Sequence, residues 1–303
     1  MDLERMSSSF RMEAGNLYGK IDAAIYDFVF GLFRKFDVEL SPSPITKGLP
    51  CVDSPTPVIL GVSTYLAIVI FGSCMLKWKG TGKPRASDPR PLRFLVVLHN
   101  LFLFFLSLYM CLGIVYEAIK NNYHIWGNPY VPSQVQMGRL IYIFYMSKYF
   151  EFVDTIIMLL KKNLRQVSVL HVYHHSSIAL IWWVVSYHAP GGEAYFSAAL
   201  NSGVHVAMYL YYLLAALIGK DEKIRKKYLF WGQYLTITQM VQFAMNLIQA
   251  YVGVKSNVDY PQFLLKILYY YMMTLLVLFA NFYVRKYIFP KQKPDRIQSK
   301  KQQ

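Results

Sequence analysis

Charge is scarce in this sequence. Asp, Glu, Lys and Arg make up 16% of its 303 residues, against about a quarter in soluble globular domains. The shortfall comes with 55% hydrophobic residues and a mean hydropathy of +0.27. Together these exclude a disordered chain and argue against a water-soluble globule. Cysteine is scarce too. Cys51, Cys74 and Cys111 show neither metal-ligand spacing nor a paired framework, so a disulfide-built protein is not expected. Acidic residues are the rarer sign, 17 against 32 basic, and leave a net charge of +15. An excess of that size raises nucleic acid as a partner. The basic residues, however, fall between long apolar runs, the pattern of a membrane protein with basic loops, and no nucleic acid is expected. Residues 1–20 carry charges throughout and lack an apolar core, so no cleavable leader is expected there. No repeat of solenoid period is visible.

What the chain has instead is long apolar runs. A hydrocarbon core of about 30 Å needs about 20 helical residues. Seven stretches answer to that length: roughly 58–76, 94–118, 140–160, 167–188, 195–218, 229–252 and 263–288. The expected fold is an all-α polytopic membrane protein with seven transmembrane helices. Loops 77–93, 161–166 and 219–228 and the tail 285–303 together hold 21 Lys and Arg. The alternate loops 119–139, 189–194 and 253–262 hold only Lys120, Arg139 and Lys255. The positive-inside rule puts the first set in the cytosol, with the C-terminus, and the N-terminus across the membrane.

Three regions follow: 1–57, the spanning domain 58–288, and a basic tail 289–303. The first is near neutral, with six basic and eight acidic residues. Its stretch Asp22–Leu40 has Ile25, Phe28, Val29, Leu32, Phe33 and Phe36 at helical spacing, which predicts an amphipathic helix at the membrane surface. Residues 41–57 carry five prolines and read as an extended linker. The tail ends Lys300-Lys301-Gln302-Gln303, a dilysine retrieval signal for the endoplasmic reticulum on the expected cytosolic side.

Ionisable residues inside a bilayer are costly and are functional candidates by default. The third span carries Lys148, Glu151 and Asp154 at spacings of three, along one drifting face, with Thr155 beside them. A Lys148–Glu151 ion pair that locks the bundle is one reading, and it is compatible with a site. The fourth span carries His171, His174 and His175, which positions i, i+3 and i+4 bring to one face. The fifth carries Asn201 and His205, then Tyr209 and Tyr212. The sixth carries Thr236, Gln239, Gln242 and Asn246, where interhelical glue is an equally good reading. At 1.5 Å per residue, His174 lies roughly 11 Å, Glu151 roughly 13 Å, Gln239 roughly 15 Å and His205 roughly 20 Å from the cytosolic end of its span. These groups can converge on one pocket open to the cytosol. The lumenal halves are expected to be apolar apart from His99, Glu117 and Lys266. A polar mouth above an apolar blind end suits a long acyl chain with a charged headgroup.

Histidine clusters invite a metal. A membrane di-iron centre needs more histidine clusters than one, and His124 and His188 fall at the opposite face, so that centre is disfavoured. A single zinc on His171, His174, His175 and His205 stays open. The other chemistry is covalent: a neutral imidazole attacks thioesters and passes the acyl group on, while a second imidazole serves as acid or base. No cysteine lies among these residues.

Four motifs stand in order: Lys148-x-x-Glu151-x-x-Asp154-Thr155, His171-Val-Tyr-His174-His175, Asn201-x-x-x-His205-x-x-Met208-Tyr209-x-Tyr211-Tyr212, and Thr236-x-x-Gln239-x-x-Gln242. Over about residues 55–290 the sequence resembles the ELO family of very-long-chain fatty acid elongases, 3-ketoacyl-CoA synthases of the endoplasmic reticulum. The resemblance implies that six of the seven helices enclose an acyl tunnel. It implies condensation of acyl-CoA with malonyl-CoA as substrates, without a further cofactor or a metal. Carried onto this chain, His174 corresponds to the acyl-accepting nucleophile and His205 to its catalytic partner. His171, His175, Lys148, Glu151, Asp154, Asn201, Tyr209, Tyr212, Gln239 and Gln242 would line or orient the site. Lys161, Lys162, Arg165 and Lys223–Lys227 could steer CoA phosphates. Gln166, together with the stretches Lys83–Ser87, His188–Asn201 and Asp53–Pro57, resembles the delta-6 polyunsaturated branch, which extends C18 chains to C20. A homodimer is expected, with the ketoacyl-CoA reductase, dehydratase and enoyl-CoA reductase of the elongation cycle as implied partners. A seven-span receptor would share the topology but should end its third span on an Asp-Arg-Tyr-like triplet, where this chain has Leu160-Lys161-Lys162. A transporter would need a polar pocket reaching both faces.

Overall fold

A chain in hydrocarbon must satisfy its own backbone, and a continuous helix does so within one segment. The computed structural model describes residues 2–83 and 87–289, with side chains from residue 15 onward. Among the described residues there are helices and no strands: α1 (Asp2–Arg34), α2 (Thr56–Trp78), α3 (Arg90–Lys120), α4 (Val135–Leu160), α5 (Val169–His188), α6 (Ala194–Ile218), the short α7 (Glu222–Tyr228), α8 (Gly232–Lys255) and α9 (Gln262–Tyr283), which runs on into a π-helical turn, Val284–Ile288. The dilysine tail, and Pro84–Ala86 within the branch-specific stretch, lie outside the described residues.

Each expected span coincides with one long helix. Thr56–Trp78, Arg90–Lys120, Ala194–Ile218 and Gln262–Ile288 are long and apolar enough to cross a membrane by length and composition, so the chain is a multi-pass membrane protein. The remaining three, α4, α5 and α8, have 26, 20 and 24 residues. They carry the charged, imidazole and amide side chains that depress hydropathy. Beside an apolar core, large apolar side chains face outward and several charged or amide side chains are buried. Phe94, Leu98, Phe102, Phe105, Tyr109 and Leu112 of α3 face outward, whereas Asn100, Lys148, Glu151, His205 and Gln249 are buried.

The helices share two ends. At one, which we call the basic end, Lys161 pairs with Asp88 at 3.5 Å, and Arg93 Nε donates to Ala216 O at 3.1 Å at the C-terminus of α6. There α7 is capped by Asp221, whose carboxylate accepts from the N–H groups of Lys223 and Ile224. At the far end, the carboxylate of Glu193 accepts from the backbone N–H of Gly127 at 2.7 Å and of Asn128 at 2.6 Å. The Gln249 amide donates to the other carboxylate oxygen at 3.0 Å. Only glycine fits beside this clamp: Gly192 has φ +50, and a Cβ there would stand 2.8 Å from Pro129 O.

The first region differs from expectation in its bounds. The helix begins at Asp2 and ends at Arg34, instead of covering 22–40. It stops because Asp37 adopts φ 55, and Val38 N–H closes back on Phe33 O at 3.1 Å. Phe30 anchors α1 edge-on against Trp183 and Tyr187 of α5. The proline-rich linker is strapped down by Ser43 N–H to Tyr187 O at 2.6 Å and by Trp183 Nε1–H to Val52 O at 2.9 Å.

Candidate active site

Ser168 starts the helix that carries three of the histidines. Its hydroxyl accepts from the His171 N–H at 3.2 Å, which caps α5 and fixes where the i, i+3, i+4 face points. His171 and His175 lie with ring centroids 4.3 Å apart, and His174 and His175 5.6 Å apart. The His171 Nε2 hydrogen-bonds Thr155 Oγ1 at 2.8 Å, and Thr155 in turn meets Tyr65 OH at 3.1 Å. One helix face is thereby tied to α4 and α2.

Lys148 and Glu151 form a buried pair, Nζ to Oε1 at 2.7 Å, each residue 2% exposed or less. Glu151 also stands 3.6 Å from His205 Nδ1. Lys148 Nζ reaches Asn201 Oδ1 at 3.5 Å and sits 3.8 Å over the Phe144 ring. Two motifs on α4 and α6 therefore meet at one carboxylate. Its second oxygen, Glu151 Oε2, is buried and unpartnered, as is His175 Nδ1.

His174 meets a residue that sequence reasoning did not single out. Its Nδ1 lies 3.1 Å from Tyr271 OH of α9, and that hydroxyl lies 3.0 Å from Ser177 Oγ. With Nδ1–H donating to the phenol oxygen, Nε2 keeps its lone pair for attack. His174, Asn201, Gln242 and Tyr271 line a narrow cavity of about 60 Å³ that continues between α5, α6, α8 and α9. Its walls are mostly apolar, from Ile178, Trp182, Leu268 and Met272, and it extends to Glu193, Ser197 and Tyr260 near the far end. The far wall is thus not the apolar blind end expected.

Asp154 belongs to a second cluster. His99 Nε2–H donates to its Oδ1 and Tyr209 OH to its Oδ2, each at 2.9 Å. The expectation that His99 interrupts the far half is corrected: α3 enters from the basic end, so His99 lies at the depth of Asp154. Of the expected site residues, His174, Asn201 and Gln242 line the cavity and the others do not. Gln239 contacts Met208 Sδ at 3.8 Å, and Tyr212 is 40% exposed. Among the described residues, no three His, Cys, Asp or Glu side chains are grouped as metal ligands.

Fold and site together define a multi-pass, all-helical membrane protein with a cluster of buried histidines, of which His174 lines a largely apolar cavity. The chain belongs to the ELO family (GNS1/SUR4 family), which it matches over residues 50–295. It is 40% identical over 250 residues to "Fatty acid elongase 6" of Leishmania major, covering 80% of this chain and 62% of that one. It is 35% identical to "Very long chain fatty acid elongase 5" of Xenopus tropicalis, over 80% of this chain and 79% of that one. Against the human protein of that name it is 36% identical, over 75% and 74%.

Proposed function

We propose that the chain is a condensing enzyme of fatty acid elongation, a very-long-chain 3-oxoacyl-CoA synthase acting on C18 polyunsaturated acyl-CoA. ELO membership and the elongase relatives support the reaction class. The observation that carries the chemistry is His174, held through Nδ1 by Tyr271 at the head of the cavity. His174 Nε2 attacks the acyl thioester carbon. The C–S bond breaks, and the CoA thiolate leaves and takes up a proton. Malonyl-CoA then loses carbon dioxide, and the resulting enolate attacks the acyl-imidazole carbon. The new C–C bond forms as the C–N bond breaks, releasing 3-ketoacyl-CoA two carbons longer and restoring the imidazole. His205, set against Glu151, is the acid–base partner.

Along α5 the cavity runs from His174 to Val185, about 16 Å of helix rise. In this reading the protein sits in the endoplasmic reticulum membrane with its basic end and C-terminus cytosolic, all seven long helices from α2 to α9 cross, and six of them enclose the acyl tunnel. CoA phosphates meet the basic loops around Lys161, Lys162, Arg165 and Lys223–Lys227. It acts as a homodimer beside the reductases and dehydratase of the cycle.

The test is intact mass after incubation with C18 polyunsaturated acyl-CoA alone. The expected result is one added acyl group, removed by malonyl-CoA and missing in His174→Ala. Ketoacyl-CoA formation on adding malonyl-CoA, with no acyl-protein detected beforehand, would sink the covalent step.

A further inference from the structure

Lys266 is a cation that the condensing chemistry does not use. It stands on α9 about 6 Å from the far end of that helix, and it does not line the acyl cavity. It lines a second, larger space, a lateral groove of about 1140 Å³ between α5, α9 and the turn that ends α1. Phe33, Phe36, Asp37 and Glu39 supply the wall from α1 and its turn. Lys266, Asp37 and Glu39 are exposed, and among the described residues none of the three is ion-paired. An unmatched charge inside a span calls for a cause. Aromatic rings gather beside these charges: Phe33 and Phe263 meet edge to face with centroids 6.2 Å apart, and His188 lies 5.4 Å from Phe263. Deeper in the groove the polar groups are already satisfied. Tyr173 OH meets Thr274 Oγ1 at 3.1 Å, and Ser177 Oγ meets Tyr271 OH at 3.0 Å. Ile181 and Ile267 add apolar wall there. The groove is thus charged at the far end and offers an apolar, hydrogen-bond-satisfied surface below.

Its length matches one lipid leaflet. The groove runs from Gln262 to Thr274 along α9 and from His188 to Tyr173 along α5, about 18 and 22 Å of helix rise. Half of a bilayer with its headgroup layer measures about 20–22 Å. We propose that the groove binds one zwitterionic glycerophospholipid from the leaflet at the far end. The phosphate meets the Lys266 ammonium. The cationic nitrogen of the headgroup meets the Asp37 and Glu39 carboxylates beside the aromatic corner. One acyl chain lies down the groove toward Thr274. An anionic headgroup satisfies Lys266 but brings negative charge against two carboxylates. A diacylglycerol leaves all three charges unmatched. The site shares Ile181 and Tyr271 with the acyl cavity, and it depends on the chain crossing a membrane, not on which acyl-CoA is condensed.

The experiment is native mass spectrometry of the full-length protein in detergent, titrated with phosphatidylcholine, phosphatidylglycerol or diacylglycerol carrying the same acyl chains. The expected result is one phosphatidylcholine per chain, held about fivefold or more tighter than either competitor. Lys266→Gln weakens phosphatidylcholine about fivefold. Asp37→Asn/Glu39→Gln removes the discrimination against phosphatidylglycerol; Asn accepts the φ of 55 at position 37. The place is read without any variant, by phosphatidylcholine with a diazirine high on one acyl chain, which should label peptides within 173–188 or 261–274. Equal binding of phosphatidylcholine and phosphatidylglycerol by the wild type, or labelling outside these peptides, overturns the proposal. So does a preference that both variants leave unchanged, or one-for-one displacement of the lipid by acyl-CoA, which would give the groove to substrate. Ketoacyl-CoA formation is followed in parallel: its absence overturns the functional reading and leaves this inference standing, whereas an active enzyme without lipid preference overturns this inference alone.

Discussion

Replacing Tyr271 by Phe removes one oxygen from the cavity head and leaves the ring. That ring is buried and lies nearly parallel to His174, 14° between planes, so the variant keeps its shape. What it loses is the partner of His174 Nδ1 at 3.1 Å and the bridge to Ser177 at 3.0 Å. Leaving a buried donor unpaired costs about 1–3 kcal/mol. If the phenol holds the imidazole in its attacking tautomer, that cost falls on acylation, and at 1.36 kcal/mol per decade the rate drops about 5- to 150-fold. The assay is rapid-quench mass spectrometry of acyl-enzyme formation without malonyl-CoA. The Ser177→Ala variant serves as comparison, because it leaves the phenol–imidazole contact in place and should slow acylation less. Acylation of Tyr271→Phe at the wild-type rate, with the same melting temperature in detergent, would refute the role assigned to Tyr271.

Glu151→Gln leaves the Lys148 ammonium buried without its counter-charge, and breaking such a pair costs about 3–5 kcal/mol; the variant should melt at least several degrees lower in detergent and lose turnover. The double variant Lys148→Met/Glu151→Leu should recover melting temperature but not activity, as measured by thermal shift and ketoacyl-CoA formation. Recovery of both would reduce the pair to a bundle lock. Glu193→Gln keeps the shape of the far-end clamp but weakens its charge-assisted bonds to Gly127 and Asn128, costing about 1–2 kcal/mol. Hydrogen exchange at 123–130 should rise, while His174 acylation by a short acyl-CoA is unchanged.

The helices were legible because hydropathy and length alone decide what crosses hydrocarbon. α4, α5 and α8 were legible as well, although their site residues dilute the apolar signal. The histidine face on α5 followed from spacing. Tyr271 did not: in a chain with 25 tyrosines, one more in an aromatic span carries no signal, and its contact to His174 joins residues 97 positions apart. His99 was visible but set at the wrong depth, because its distance was not counted from the end at which α3 enters. The start of α1 was missed because Asp2–Lys20 has helix-forming residues without an apolar stripe, so periodicity had nothing to report. Glu193 sits in a loop-like stretch, and nothing local betrays that its carboxylate gathers donors from two other parts of the chain.

That gathering constrains how the protein can change. The carboxylate of Glu193 borders the acyl cavity and also pins the 127–128 backbone and α8. Deepening the cavity past this point would mean giving up one residue and, with it, the closure of the bundle. Variation in accommodated chain length is therefore easier to reach through the girth of the lateral walls, at positions such as Ile181, Leu268 or Met272, each of which can shrink or swell by a methylene without disturbing a hydrogen bond. Descendants of this sequence should drift in caliber before they drift in depth.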